Sequence, residues 1–257
     1  MKKNLYLAFV ARRSNPFKDF LYGVMRSFCS IPRLLLEVFT RTHFGERYFS
    51  FSSAVFLAFI LAMFPIVLSS IVASISYEGF STLDFSIHYL TWYGFIFMFM
   101  RECALRRKEI KRSPSAFDFG SYSLSTGRLH KWLLDYKYNG KGFDIRTIET
   151  IIEPGLFVII GLALMVTMQW IGIVIFLSGI CYSISYFDAY KRGDDFILDI
   201  IDERIANEET TNVFVYGLDP SLTKGFSMYG GKPDDLDLRQ AVADDIVQNQ
   251  EAPNYVI

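Results

Sequence analysis

The chain has 257 residues, 51% of them apolar and 17% aromatic, and its 26 Lys and Arg nearly balance its 27 Asp and Glu. With a mean hydropathy of +0.25 and charges gathered in blocks between long uncharged runs, it is neither disordered throughout nor an ordinary soluble domain. Cys29, Cys103 and Cys181 are too few and too scattered for a disulfide framework or a zinc site, whose ligands come in close pairs, so neither metal nor cofactor is expected.

The opening MKKNLYLAFVARR has a basic start, but its apolar run stops at Arg12 without a small-x-small cleavage site. A signal peptide is therefore not expected, and the chain should begin at or near Met1. From Pro16 to Ser30 the apolar residues Phe17, Phe20, Leu21, Val24, Met25 and Phe28 repeat at three and four, with Lys18 and Arg26 off the stripe. This pattern predicts an amphipathic helix with Pro16 in its first turn, lying on the inner leaflet or on the protein's own cytoplasmic part. Pro32 should break it, and Leu34, Leu35, Val38 and Phe39 should form a second short apolar face.

Tyr48 to Tyr77 is a run of 30 uncharged residues, against about 20 needed to cross a hydrocarbon core. Pro65 falls inside it, so a kink is expected, with the freed carbonyl satisfied by a neighbouring helix or by the serines that follow. Ala54, Ala58 and Ala62 form a small-xxx-small stripe suited to close helix packing. The next run, Phe85 to Met100, has 16 uncharged residues ended by Arg101 and is read as a second span. Pro154 to Phe187 has 34, which would make about 51 Å of helix and overshoot one bilayer. A hairpin of two short helices turning near Gln169, Trp170 and Gly172 fits better than one tilted helix.

Charge placement predicts orientation. Residues 1–47 carry nine basic and three acidic side chains, and residues 101–153 carry eleven and seven. The link between the first two spans holds only Glu78 and Asp84. Basic flanks stay on the cytoplasmic side, so both the N-terminus and the central segment are expected there, and the hairpin returns the C-terminus to the same side. The tail, residues 188–257, has 15 acids and six bases, a poor match to an anionic leaflet.

In the central segment, Arg106, Arg107, Lys108, Lys111 and Arg112 form a basic cluster against the second span, better explained by topology and anionic lipid than by nucleic acid. SPSAFDFGSYSLSTG reads as loop, NGKG as a turn, and Ile145, Ile148, Ile151 and Ile152 as one face of a surface helix running into Pro154. In the tail, Phe196, Ile197, Ile200, Ile201 and Ile205 repeat at helical spacing, capped by Asp194 or Asp195, and need a partner surface. Residues after Tyr216 read as mobile, and Asn254 to Ile257 could add to a sheet edge.

Chemistry is sparse. Asp84, His88 and Trp92 are spaced by four and share a helix face, a candidate polar path for a proton or cation. Asp194, Asp195, Asp199 and Asp202 lack the glycine turn of a calcium loop, the GGKP near Tyr229 lacks the phosphate-loop spacing, and Ser178 and Ser183 have no partnered base. The expected fold is an all-α integral membrane protein with four transmembrane helices, the last two a short hairpin, plus amphipathic interfacial and cytoplasmic helices. Its segments are 1–47, basic and interfacial; 48–100, spans one and two; 101–153, basic; 154–187, the hairpin; and 188–257, the acidic tail. The expected role is a non-enzymatic anchor or assembly subunit of a multiprotein complex in a bacterial inner membrane, serving secretion, conjugation or the envelope. Its partners would be the bilayer and other subunits, a second copy included. The alternative is a small oligomeric channel or transporter using Asp84 and His88.

Overall fold

Helix dominates because uncharged, strongly apolar segments satisfy their own backbone hydrogen bonds only as helices. The computed structural model describes residues 2–7, 10, 16–76, 82–110, 122–135, 137, 138 and 141–249, with backbone alone at 2, 3, 16, 18, 19, 21, 72–76, 82–88, 137, 138, 141, 248 and 249. Contacts divide the chain into two units, Phe20–Tyr190 and a smaller one of Met1–Asp19 with Lys191–Ile257. Among the described residues, Phe51–Ile71, Ile145–Val166 and Ile171–Phe214 are long and apolar enough to cross a membrane by length and composition.

Helix α1, Pro16–Thr40, starts at Pro16 as expected but passes unbroken through Pro32, correcting the expected break. An interior proline costs about 3 kcal/mol. Tertiary packing of the following turns overrides it: Leu35, Leu36 and Val38 are buried, as are the charged Glu37 and Arg41. A two-residue strand, β2 (Arg41–Thr42), pairs with β3 (Arg128–Leu129), and Gly45 and Arg47 donate to the Ser125 and Ser123 carbonyls at 2.9 Å. These bonds tie the loop after α1 to the segment before the hairpin.

Helix α2, Phe51–Ser76, contains Pro65, which cannot donate to the Leu61 carbonyl four residues earlier. The Trp92 indole of α3, Thr82–Ile110, donates to that oxygen at 2.8 Å, and Tyr93 Oη donates to the Ala62 carbonyl at 3.2 Å. A neighbouring helix thus satisfies the proline-freed group, as expected. Ser69 and Ser70 instead return to the Ile66 carbonyl. Ala54 and Ala58 of the small-residue stripe are buried. Trp92→Phe keeps the ring and removes the donor, so a loss of about 0.5–1.5 kcal/mol is expected; unchanged unfolding in detergent would count against this role. Helix α3 continues past Arg101, and its Arg106 donates to the Val38 carbonyl of α1.

The short helix α4 (Lys131–Leu134), the pair β4 (Lys137–Tyr138) with β5 (Lys141–Gly142), and a single turn α5 (Ile145–Thr147) lead into a π-helical turn at Ile148–Ile152. The π turn shifts the helical register. Ile148 is buried while Ile145 and Ile151 are exposed, so these isoleucines do not share the one face expected of a regular helix.

Helix α6, Glu153–Val166, and helix α7, Ile171–Phe214, turn where expected, but α7 is far longer than the short second arm that the uncharged run suggested. Met168, at φ +58°, lies in the turn between them. The arms touch backbone to backbone at glycine: a Cβ on Gly161 would lie 2.6 Å from Phe176 N, and one on Gly172 2.7 Å from the Gly161 carbonyl oxygen. Helix α7 continues through Gly193 for 44 residues. A lone glycine costs only about 1 kcal/mol in a helix interior, and no proline interrupts the run. Asp194 and Asp195 are therefore mid-helix residues, not the expected N-terminal cap.

In the smaller unit, β1 (Lys2–Asn4) pairs antiparallel with β6 (Val247–Asn249). Asn4 is buried, its Nδ2 donating to Thr210 Oγ1 at 3.2 Å and its Oδ1 accepting from the Tyr6 and Leu7 amides. Helix α8, Leu236–Ile246, is capped by Asp235, which accepts from the Asp237 amide. Ala243 packs with Phe214 and Val215. Residues 216–249 are thus described as turns, helix and strand, whereas residues 254–257, read as a possible edge strand, lie outside the described residues.

Candidate functional site

The most concentrated chemistry of the larger unit is a buried cluster of charges and phenols where α1, the start of α6 and the middle of α7 meet. Its members recur every fourth residue: Arg33 and Glu37 on α1 with Arg41 just past its end, Glu149 and Glu153 entering α6, and Tyr182, Tyr186 and Tyr190 on α7. On α7 this four-residue spacing stacks the three tyrosines on one helix face.

Arg41 is wholly buried and forms a fork on Glu153, with Nε to Oε1 at 3.0 Å and Nη2 to Oε2 at 2.6 Å. Its Nη1 lies 3.1 Å from Glu149 Oε1, and its Nε also donates to Tyr182 Oη at 3.2 Å. Thr40 Oγ1 donates to Glu153 at 2.5 Å, and Tyr190 Oη donates to Glu149 at 2.5 Å. One turn away, Glu37 accepts from Arg33, from Tyr48 Oη at 2.8 Å and from Tyr186 Oη at 2.7 Å. Arg33 also donates to Tyr48 Oη and, at 2.8 Å, to Ser185 Oγ. The Tyr186 ring carries both guanidinium groups, with Arg33 Cζ 4.3 Å and Arg41 Cζ 4.5 Å from its centre.

These contacts explain how the charges tolerate burial. Desolvation disfavours the Arg41 cation, but its hydrogen bonds to Glu153 and the surrounding negative potential hold its pKa above the ordinary range. Arg33 is likewise raised against its desolvation, through Glu37. Burial, followed by the Glu37 charge, pushes the Tyr48 phenol well above its usual value, so it stays a neutral donor. Removing any one partner would leave a buried charge undercompensated. The arrangement can fasten three helices together. The thiols nearby are not activated: burial pushes Cys29 up to about 11 and Cys103 up to about 12, the opposite of a nucleophile.

The expected site residues are distributed differently. Asp84, His88 and Trp92 all lie on α3, but the side chains of Asp84 and His88 are outside the described residues, and the Trp92 indole is committed to Leu61. Arg106 of the basic cluster turns inward, donating to the Val38 carbonyl at 3.3 Å and pairing with Glu102 and Glu109. Arg107 and Lys108 are exposed, Arg107 lying over the Phe51 ring at 4.4 Å; Lys111 and Arg112 lie outside the described residues. Phe196, Ile197, Ile200 and Ile201 are exposed on α7 and Ile205 is half-buried. Asp195, Asp199 and Asp202 are exposed beside them. Among the described residues, no group of three His, Cys, Asp or Glu is placed to hold a metal ion.

In the sequence Arg33, Glu37 and Arg41 stand out only as charges. The four-residue repeats on three separate segments, with Glu149 and Glu153 just before an uncharged run, were the signal that could have joined them. No family model, curated protein or solved structure matches the chain.

Proposed function

We propose that the protein is a non-enzymatic anchor or assembly subunit of a multiprotein membrane complex, of the kind that serves secretion, conjugation or the envelope in a bacterial inner membrane. In this reading α2, α3 and both arms of the hairpin insert into the bilayer, and both chain ends stay on the cytoplasmic side with the basic segments. The buried cluster holds α1 against the membrane helices. Beyond it, Phe17, Phe20, Val24 and Phe28 of α1 are exposed at the spacing of an interfacial helix.

The observation that carries the reading is the apolar band on α7 beyond the uncharged run: Phe196 is 65% exposed, Ile197 57% and Ile201 46%. An apolar band on a helix that continues past its uncharged stretch is a docking surface for another protein. A photocrosslinking amino acid at Ile200 of the full-length protein, activated in intact cells, is expected to yield a discrete adduct with a protein partner, and Ile201→Glu should abolish it. Recovery of an uncrosslinked monomer, together with native purification that returns the chain alone, would defeat the proposal.

A further inference from the structure

The register between helices fixes how deep the α6–α7 turn reaches. Thr91 Oγ1 of α3 donates to Gln169 Oε1 in the turn at 2.6 Å. The adjacent Trp92 and Tyr93 bond to the Leu61 and Ala62 carbonyls of α2. The turn, Thr91 and Leu61 therefore share one level.

Measured from that level, the two sides are unequal. Toward the basic side, Arg101 is ten residues from Thr91 and Phe51 ten residues from Leu61, about 15 Å of helix in each case. Arg101, with 65% of its side chain exposed, and Arg107, stacked over Phe51, mark where the hydrocarbon begins, because an exposed guanidinium stays at the headgroups. Toward the other side, α3 meets its first charge, Asp84, seven residues from Thr91 and α2 extends fifteen residues to Ser76, about 10 and 22 Å. With a core about 30 Å thick, the turn lies near the midplane.

We infer that the α6–α7 hairpin is re-entrant: it enters from the basic side, turns at Thr167–Trp170 among the acyl chains, and leaves by the same side. This inference rests on the membrane insertion proposed above and replaces two crossings with none, so the chain ends still share a side. The side chains at the turn suit acyl chains: Val166 is 84% exposed and Met168 82%, and no charge occurs from Pro154 to Phe187. Three amides of the turn are paired within the chain, as backbone groups in hydrocarbon need to be. The Thr167, Met168 and Gln169 amides donate to Ala163, Met165 and Leu164 carbonyls, and Thr91 engages the Gln169 side chain. Were the turn at the far surface, Phe64, Ile66, Val67 and Ile71 of α2, all exposed, would project beyond the bilayer into water.

The test places a nitroxide on Met168→Cys, in full-length protein with the three native cysteines replaced by alanine, reconstituted in phosphatidylcholine vesicles. Phe59→Cys on α2 serves as a lipid-facing reference. Oxygen should relax both labels several times more effectively than a water-soluble nickel chelate, with Met168→Cys at least as deep as Phe59→Cys. Nickel access at Met168→Cys alone means a crossing hairpin and overturns the inference. Nickel access at both positions means the chain is not inserted and overturns the underlying reading as well. Should the cysteine-free background fail to fold, the native chain and Trp170→Phe are compared in bromolipid vesicles. The fluorescence due to Trp170 should be quenched most by bromines deep in the acyl chain, and strongest quenching by shallow bromines overturns the inference.

Discussion

Arg41→Met is expected to destabilise the larger unit by about 3–5 kcal/mol, enough to exhaust much of the stability of an average domain. The cost arises less from the lost attraction than from what remains. Glu153 stays wholly buried with only Thr40 among its bonded partners, and Glu149 loses its nearest cation. Glu153→Leu alone should be costly for the converse reason, leaving a buried guanidinium to share Glu149 and Glu37. The double variant should cost clearly less than the two single losses together, because apolar groups of similar volume often replace a buried ion pair without penalty. Unfolding of all four proteins in one mild detergent gives the coupling energy. Additivity within about 0.5 kcal/mol would show that the two residues do not act as a pair.

The second large effect concerns the hairpin. At Gly161 an added Cβ meets the Phe176 amide nitrogen at 2.6 Å and its Cα at 2.8 Å, backbone atoms that yield only if the arms move apart. Gly161→Ala is expected to lose about 1–3 kcal/mol despite alanine's better helix propensity, and Gly161→Val more. Gly155 sits on the same helix, yet an added Cβ there meets nothing within 4 Å, so Gly155→Ala should be neutral or mildly stabilising. Equal effects at the two positions would refute close approach of the arms as the reason for glycine at 161.

Features that depend on one segment and its neighbours in sequence were readable in advance. The uncharged runs located α2 and the hairpin, and the length of the third run favoured a turn over one tilted helix. Pro65 announced a carbonyl in need of a donor, although not that Trp92 would supply it. Features decided by distant partners were not readable. Pro32 has every local mark of a helix end and is overridden by packing of the turns that follow it. The π turn at Ile148–Ile152 disguised the isoleucine face, since counting by 3.6 assumes regular hydrogen bonding. Arg106 looked like one more surface cation until Val38 was placed beside it. The buried cluster was invisible for the same reason: each arginine, glutamate and tyrosine is ordinary alone, and only the meeting of three helices makes them one site.

If α2 and α3 insert as proposed above, the bond from Trp92 to Leu61 bears on how the chain is made. During synthesis α2 leaves the ribosome before α3, carrying a carbonyl that Pro65 has stripped of its intrahelical donor. Released singly into lipid, it would carry that bare oxygen into a solvent with no water to bind it, at a cost of several kcal/mol. Retaining the first helix at the insertion machinery until its successor arrives avoids the cost, so the two should enter the bilayer more readily as a pair than in turn.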